Sequence, residues 1–199
     1  MTSSGLFPLP EVNDEQLSLL GTPREVRTPA TLWEAWLTNP ATRARFETKR
    51  YDRGPGSCAP WLAAISSTGH ASFRAASRPG PSRRGTVPAH LYAYQLEYGI
   101  IDRLGWTALE DPVLRHRCDY PGCVNPHHLQ LGSIADNRAD YLTRRHTPGS
   151  PLADVRGPAG LSRAIATAVR DGLAAHEPAP VIDERINAAI AAGQPWALW

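Results

Sequence analysis

A chain of 199 residues, 42% of them hydrophobic and with 19 prolines and 16 glycines, makes one loop-rich domain with appendages or two small domains. No stretch approaches the ~18–20 apolar residues of a membrane span, and no basic start followed by an apolar run marks a secretory signal, so a soluble intracellular protein is expected. The formal charge of +2 is unevenly spread: residues 1–52 and 151–199 each sum to −1, while 53–150 hold eleven basic and seven acidic residues.

Residues 1–27 read as a loose lead-in with at most one short helix around Asp14–Leu20. The run TPATLWEAWLTNPATRARFETKR then has Thr28 as a cap and Pro29 at the first helical position. Leu32, Trp33, Trp36 and Leu37 fall on one face of that helix, Asn39-Pro40 breaks it, and a second helix follows. CAPWLAAISSTGHASFRAA reads as short strands around a Gly69 turn. No acid occurs between Arg53 and Leu96, whereas Arg53, Arg74, Arg78, Arg83 and Arg84 accumulate. That stretch is either a solvated face or a surface facing phosphate. VPAHLYAYQLEYG is a short helix that places Leu91, Tyr94, Gln95 and Tyr98 on one face.

Next come a strand in PVLRHRC, a tight loop in DYPGCVNPHH, a second strand in LQLG and a helix in SIADNRADYLTRRH. Ser133 and Asp136 form its capping pair. PGSPLADVRGPAG is a linker by composition, and two Ala-rich amphipathic helices precede an apolar tip, QPWALW. The expected organisation is an N-terminal helical extension over 1–52, a core over 53–147, and a linker with a C-terminal helical arm over 148–199. Trp33, Trp36, Trp61 and Trp106 are expected in the core.

Three cysteines are an odd number for a disulfide framework, and a shared metal is their better use. Cys118, Cys123 and His128 follow the spacing C-x4-C-x4-H, with ligand types that suit tetrahedral zinc. Cys58, the remaining cysteine, is the expected fourth ligand. The alternatives are His127, adjacent to His128, and His116 through an H-x-C spacing. A closed four-ligand site leaves no position open for chemistry, so a free His116 needs another role.

His116 sits on the strand entering the loop, and Asn137 one turn into the helix leaving it. A neutral imidazole can take a proton from water at pH 7. An amide oxygen is a hard, neutral ligand that suits Mg²⁺ or a similar ion. The pair therefore predicts metal-assisted phosphodiester hydrolysis. For this to work the strand must end or bend at Arg117, because alternation otherwise puts residues 116 and 118 on one face. Asn125 is expected to hydrogen-bond across the loop, His90 to be a packed helix histidine, and His127 to face solvent or DNA. Asp136 and Asp140 read as capping and salt-bridge residues, and Arg138, Arg144 and Arg145 either include at least one phosphate contact or are simple solvated charges.

The pattern H-x-C-x4-C-x4-H-x8-N in HRCDYPGCVNPHHLQLGSIADN resembles the catalytic core of HNH, or His-Me finger, endonucleases. It is nearest to the His-Cys box homing endonucleases and their zinc-bearing phage and actinobacterial relatives. The resemblance covers about 58–146. It implies an α+β fold, with a small antiparallel sheet, a zinc-stapled ββα-metal finger and flanking helices. It also implies His116 as general base, Asn137 holding catalytic Mg²⁺, and one structural zinc (Zn²⁺) on Cys58, Cys118, Cys123 and His128. Upstream, GHASF and AHLYAYQL resemble a GYGRF-like turn and AHRLAYEL. Ser72 stands at the turn's arginine and Leu91 at the helix's, which leaves Arg74 as the nearest candidate for the scissile phosphate. Double-stranded DNA is the implied substrate, and two cuts across a duplex imply a homodimer. A non-catalytic zinc-stapled DNA-binding module is the rival expectation.

Overall fold

A computed structural model describes residues 28–76, 85–106 and 108–195 of the chain. The helix expected at 14–20, most of the arginine-rich loop after Ser77 and the tip 196–199 lie outside the described residues. The architecture is α+β, with helices α1 (Ala30–Thr38), α2 (Pro40–Glu47), α3 (Ala89–Tyr98), α4 (Ile134–Arg144), α5 (Gly157–Ala174) and α6 (Ala179–Ala191). The strands β1 (Ser72–Arg74), β2 (Thr86–Pro88), β3 (Val113–His116) and β4 (Leu129–Gly132) form two separate antiparallel pairs, β1–β2 and β3–β4. No described helix is long and apolar enough to cross a membrane.

The first helix starts later than the Thr28 cap predicts. Pro29 is its cap, with extended ψ of 153° and no side-chain cap bond. Asn39 does end it and then caps α2, its side chain accepting from the Thr42 N–H. Through these helices Trp33, Trp36 and Phe46 join the same core as Trp61, Phe73 and Tyr92. Phe46 packs at ring-centroid distances of 5.2 Å from Trp61, 5.2 Å from Phe73 and 4.8 Å from Tyr92. Large aromatics in such edge and tilted contacts dominate burial in a small core, so the N-terminal helices are part of the central packing. Trp106 is only half-buried, with the Arg103 guanidinium over its ring. Along α3 the buried face holds His90, Leu91, Tyr92 and Gln95, while Tyr98 is exposed and packs against Tyr94.

A second core sits under the cysteine-rich loop. Leu161, Ile165 and Val169 recur every four residues along α5, and Ile182 and Ile186 do so along α6. These stripes bury against Tyr120 and Cys123, as amphipathic helices require. At Gly172 the two helices approach so closely that a Cβ would lie 2.7 Å from Ile182.

The segment whose composition reads as a linker is ordered into that packing. Ser150 caps a 3₁₀ turn over Pro151–Ala153, and the Val155 N–H reaches the Gly193 carbonyl. Pro151 and Pro158 stand at helix starts, where a missing N–H costs nothing. Pro158 also meets the Gly69 turn. Gly69 has φ +84°, and a Cβ there would lie 2.6 Å from the Pro158 carbonyl carbon and oxygen. Gly69→Ala combines a left-handed backbone with a backbone clash, so it is expected to lower stability by about 2–4 kcal/mol. Urea denaturation with metal present checks this.

Candidate metal centre and adjoining cleft

The loop between β3 and β4 is shaped by where the strand stops. β3 ends at His116, the Arg117 N–H donates to the His128 carbonyl, and the Asp119 N–H donates to the His116 carbonyl. Asp119 takes φ 55°, a left-handed conformation that aspartate tolerates better than most residues. The turn this makes lets His116 and Cys118 face different sides. On the far side of the loop, an antiparallel bridge pairs Pro60 with Cys123. The Trp61 N–H reaches the Gly122 carbonyl, and the Val124 N–H reaches that of Ala59. These bonds carry Cys58 across to the loop.

Cys58, Cys118, Cys123 and His128 thereby place one donor atom each within 4.8 Å of one another. The His128 Nδ1 lies 3.4 Å from the Cys58 sulfur and 3.9 Å from the Cys123 sulfur. A tetrahedral ion with zinc-like bond lengths separates sulfur from nitrogen by about 3.6 Å. The group can therefore bind a metal ion such as zinc. His127 is not part of it: it is exposed, and its Nδ1 pairs with the Tyr98 hydroxyl at 3.2 Å. The sulfur cluster favours ionisation at one edge. Thiol groups of Cys118 and then Cys123, followed by the Arg53 charge, pull Cys58 down to about 4 despite its burial. The Asn125 N–H points at the Cys123 sulfur from 3.4 Å, the kind of outer contact that supports a thiolate ligand.

Asn125 is also the strap that holds the upstream segment in place. Its Nδ2 lies within reach of the carbonyls of Gly54, Pro55 and Ser57, the shortest at 2.7 Å, and its Oδ1 accepts from the His127 N–H. The residue is 4% exposed. Asn125→Ala strands those buried groups without partners and is expected to cost about 2–3 kcal/mol. The denaturant midpoint of the metal-loaded protein should fall accordingly.

Beside the metal group, His70, His116, Asp119, Asn137 and Arg138 line a cleft of about 310 Å³. The His116 Nε2 lies 3.1 Å from the Cys123 carbonyl. A carbonyl can only accept, so Nε2 carries the proton and Nδ1 keeps its lone pair. Burial pushes the His116 imidazole down to about 4, so the ring is neutral at pH 7. His90 is buried beside it, with ring centroids 5.0 Å from His116 and 5.2 Å from His70. Desolvation, then the neighbouring His116 and His70, holds His90 well below its ordinary value.

Asn137 reaches the cleft from α4, a helix with no buried residue. Ion pairs hold it instead. Arg115 on β3 meets Asp140 at 2.7 Å, and Arg144 joins Asp140 at 2.7 Å to Asp119 at 2.9 Å. Ser133 and Asp136 close a reciprocal capping box at its start. Asn137 itself is exposed, and no hydrogen bond among the described residues engages its side chain. Its hard amide oxygen suits an ion that keeps most of its own water.

The other arginines divide by partner. Arg53 is paired with Asp183 of α6 at 2.7 Å. Arg74 is exposed at the end of β1 and is not among the cleft-lining residues. Phe73 takes the buried face of that strand and leaves Arg74 on the outer one. Arg138 lines the cleft, whereas Arg144 is used within the fold. His70 also lines the cleft, a role that its place in GHASF does not reveal, since 46 positions separate it from His116. No protein-family model, curated protein or solved structure matches the chain.

Proposed function

We propose that the chain is a metal-dependent DNA endonuclease of the HNH type. A structural zinc is held by Cys58, Cys118, Cys123 and His128, and a magnesium-like ion is bound at Asn137. The observation that carries this reading is the state of His116: one nitrogen is fixed on the Cys123 carbonyl, and the other is unprotonated on the wall of the cleft that Asn137 shares.

In the reaction the His116 Nδ1 accepts a proton from a water molecule as that water's oxygen bonds to phosphorus. The bond from phosphorus to the 3′ oxygen breaks, leaving a 5′ phosphate and a 3′ oxygen that takes its proton from solvent water. The Cys123 carbonyl keeps the ring oriented throughout and stabilises the imidazolium that forms. A divalent ion held at Asn137 would supply Lewis-acid stabilisation of the charge developing on the phosphate and the leaving oxygen. The zinc site contributes rigidity only, because its four protein ligands close the coordination sphere.

A DNA substrate is supported by the basic excess over 53–150 and by the spacing from His116 to Asn137. A duplex needs a cut in each strand, which favours two copies acting together. The test is nicking of supercoiled plasmid by zinc-loaded protein. Relaxed circles are expected with Mg²⁺ and none in Mg²⁺-free buffer. Retention of the plasmid without any product in Mg²⁺ would instead identify a non-catalytic DNA-binding module.

A further inference from the structure

Resting on the endonuclease reading, we propose that His70 is a second catalytic imidazole, presenting an Nε2–H donor to a non-bridging oxygen of the phosphate bound in the cleft. Three observations lead there. His70 lines the cleft with His116 and Asn137, and its ring centroid is 5.7 Å from that of His116. Arg74, the residue expected to meet the phosphate, does not line it.

The second observation is the rigidity of the turn that carries His70. The Ser66 N–H donates to the His70 carbonyl at 2.9 Å, and the Gly69 N–H to the Ser66 carbonyl at 3.1 Å. Ile65 bridges Ala71, and Pro158 closes against Gly69 from outside. Arg138, the cationic side chain among the lining residues, sits on an exposed helical face and is long and flexible. A fixed donor is worth more to a developing charge than a mobile one.

The third is a hydroxyl chain that can hold the required tautomer. The His70 N–H donates to the Ser66 hydroxyl oxygen at 3.1 Å. The Ser66 and Thr68 hydroxyls lie 2.9 Å apart, and the Thr68 hydroxyl lies 3.0 Å from the His70 Nδ1. One hydrogen per gap satisfies the chain in either direction, and a phosphate oxygen beside the ring selects the one in which Ser66 donates to Thr68 and Thr68 donates to Nδ1. The neutral ring then carries its proton on Nε2, the one polar ring atom left for the cleft. Burial lowers the pKa of His70, in keeping with a neutral ring. His116 and His70 thus offer opposite faces to a phosphodiester. One presents a lone pair for the attacking water and the other an N–H for the phosphate.

The test joins a spectrum to an assay. Long-range ¹H–¹⁵N spectra of the zinc-loaded protein, with the His70 signals assigned by their loss in His70→Gln, should report the Nε2–H tautomer. Plasmid nicking by His70→Ala should fall about 10²-fold at unchanged zinc content and melting temperature. His70→Gln, whose Nε2 amide can replace the donor, should stay within about tenfold of wild type. An Nδ1–H tautomer, wild-type nicking by His70→Ala, or equal losses in both variants would each overturn the proposal while leaving the endonuclease reading intact. A wild type that does not nick removes both.

Discussion

Cys123→Ala is expected to abolish cooperative folding at 25 °C even with zinc supplied. The loop from Arg117 to His128 contains only a single 3₁₀ turn of regular structure, so on the proposed reading metal ligation supplies what secondary structure does not. Cys123 is 0% exposed and packs with Tyr120 into the second core, against Leu161, Ile165, Val169, Ile182 and Ile186. Structural zinc contributes about 10–16 kcal/mol to folding in small modules at neutral pH. A whole domain is stable by only about 5–15 kcal/mol. Loss of one ligand therefore removes an amount comparable to everything the fold has. Near-ultraviolet circular dichroism should lose its aromatic bands, and bound zinc should fall far below one per chain. A metal-free variant that melts cooperatively would contradict the metal's structural role.

His116→Ala is expected to separate chemistry from structure. The ring is half-buried, touches His90 and makes its hydrogen bond to the Cys123 backbone. Its removal should cost about 1–2 kcal/mol, small beside the metal term. Magnesium-dependent nicking should drop by about 10²–10⁴-fold, the range a positioned general base supplies. Zinc content and plasmid retention should persist. A variant that keeps its zinc and still nicks at the wild-type rate would remove His116 from the reaction.

The legible parts of this molecule are those written locally. The strand, loop, strand and helix around H-x-C-x4-C-x4-H-x8-N follow from turn residues and a capping pair, each acting over a few positions. Cys58 was legible by arithmetic, as the one cysteine left over. His70 was not, because its approach to His116 depends on how the Gly69 turn docks against Pro158. The position of Arg74 off the cleft lining was hidden for a related reason. Alternation separates it from Phe73, yet only tertiary packing decides which side of β1 meets the cleft. The prolines of 148–160 are a different case. Pro151 and Pro158 begin helical turns here, and their composition alone reads as a linker. Ser150 before Pro151 was the local signal of a cap.

The division of labour among the histidines is tested most directly by X-ray absorption at the zinc edge, on wild-type protein and on His116→Ala. Three sulfurs and one nitrogen should surround the metal in both, with unchanged distances. A nitrogen lost from that shell in His116→Ala would make His116 a ligand, and would end its assignment as the base.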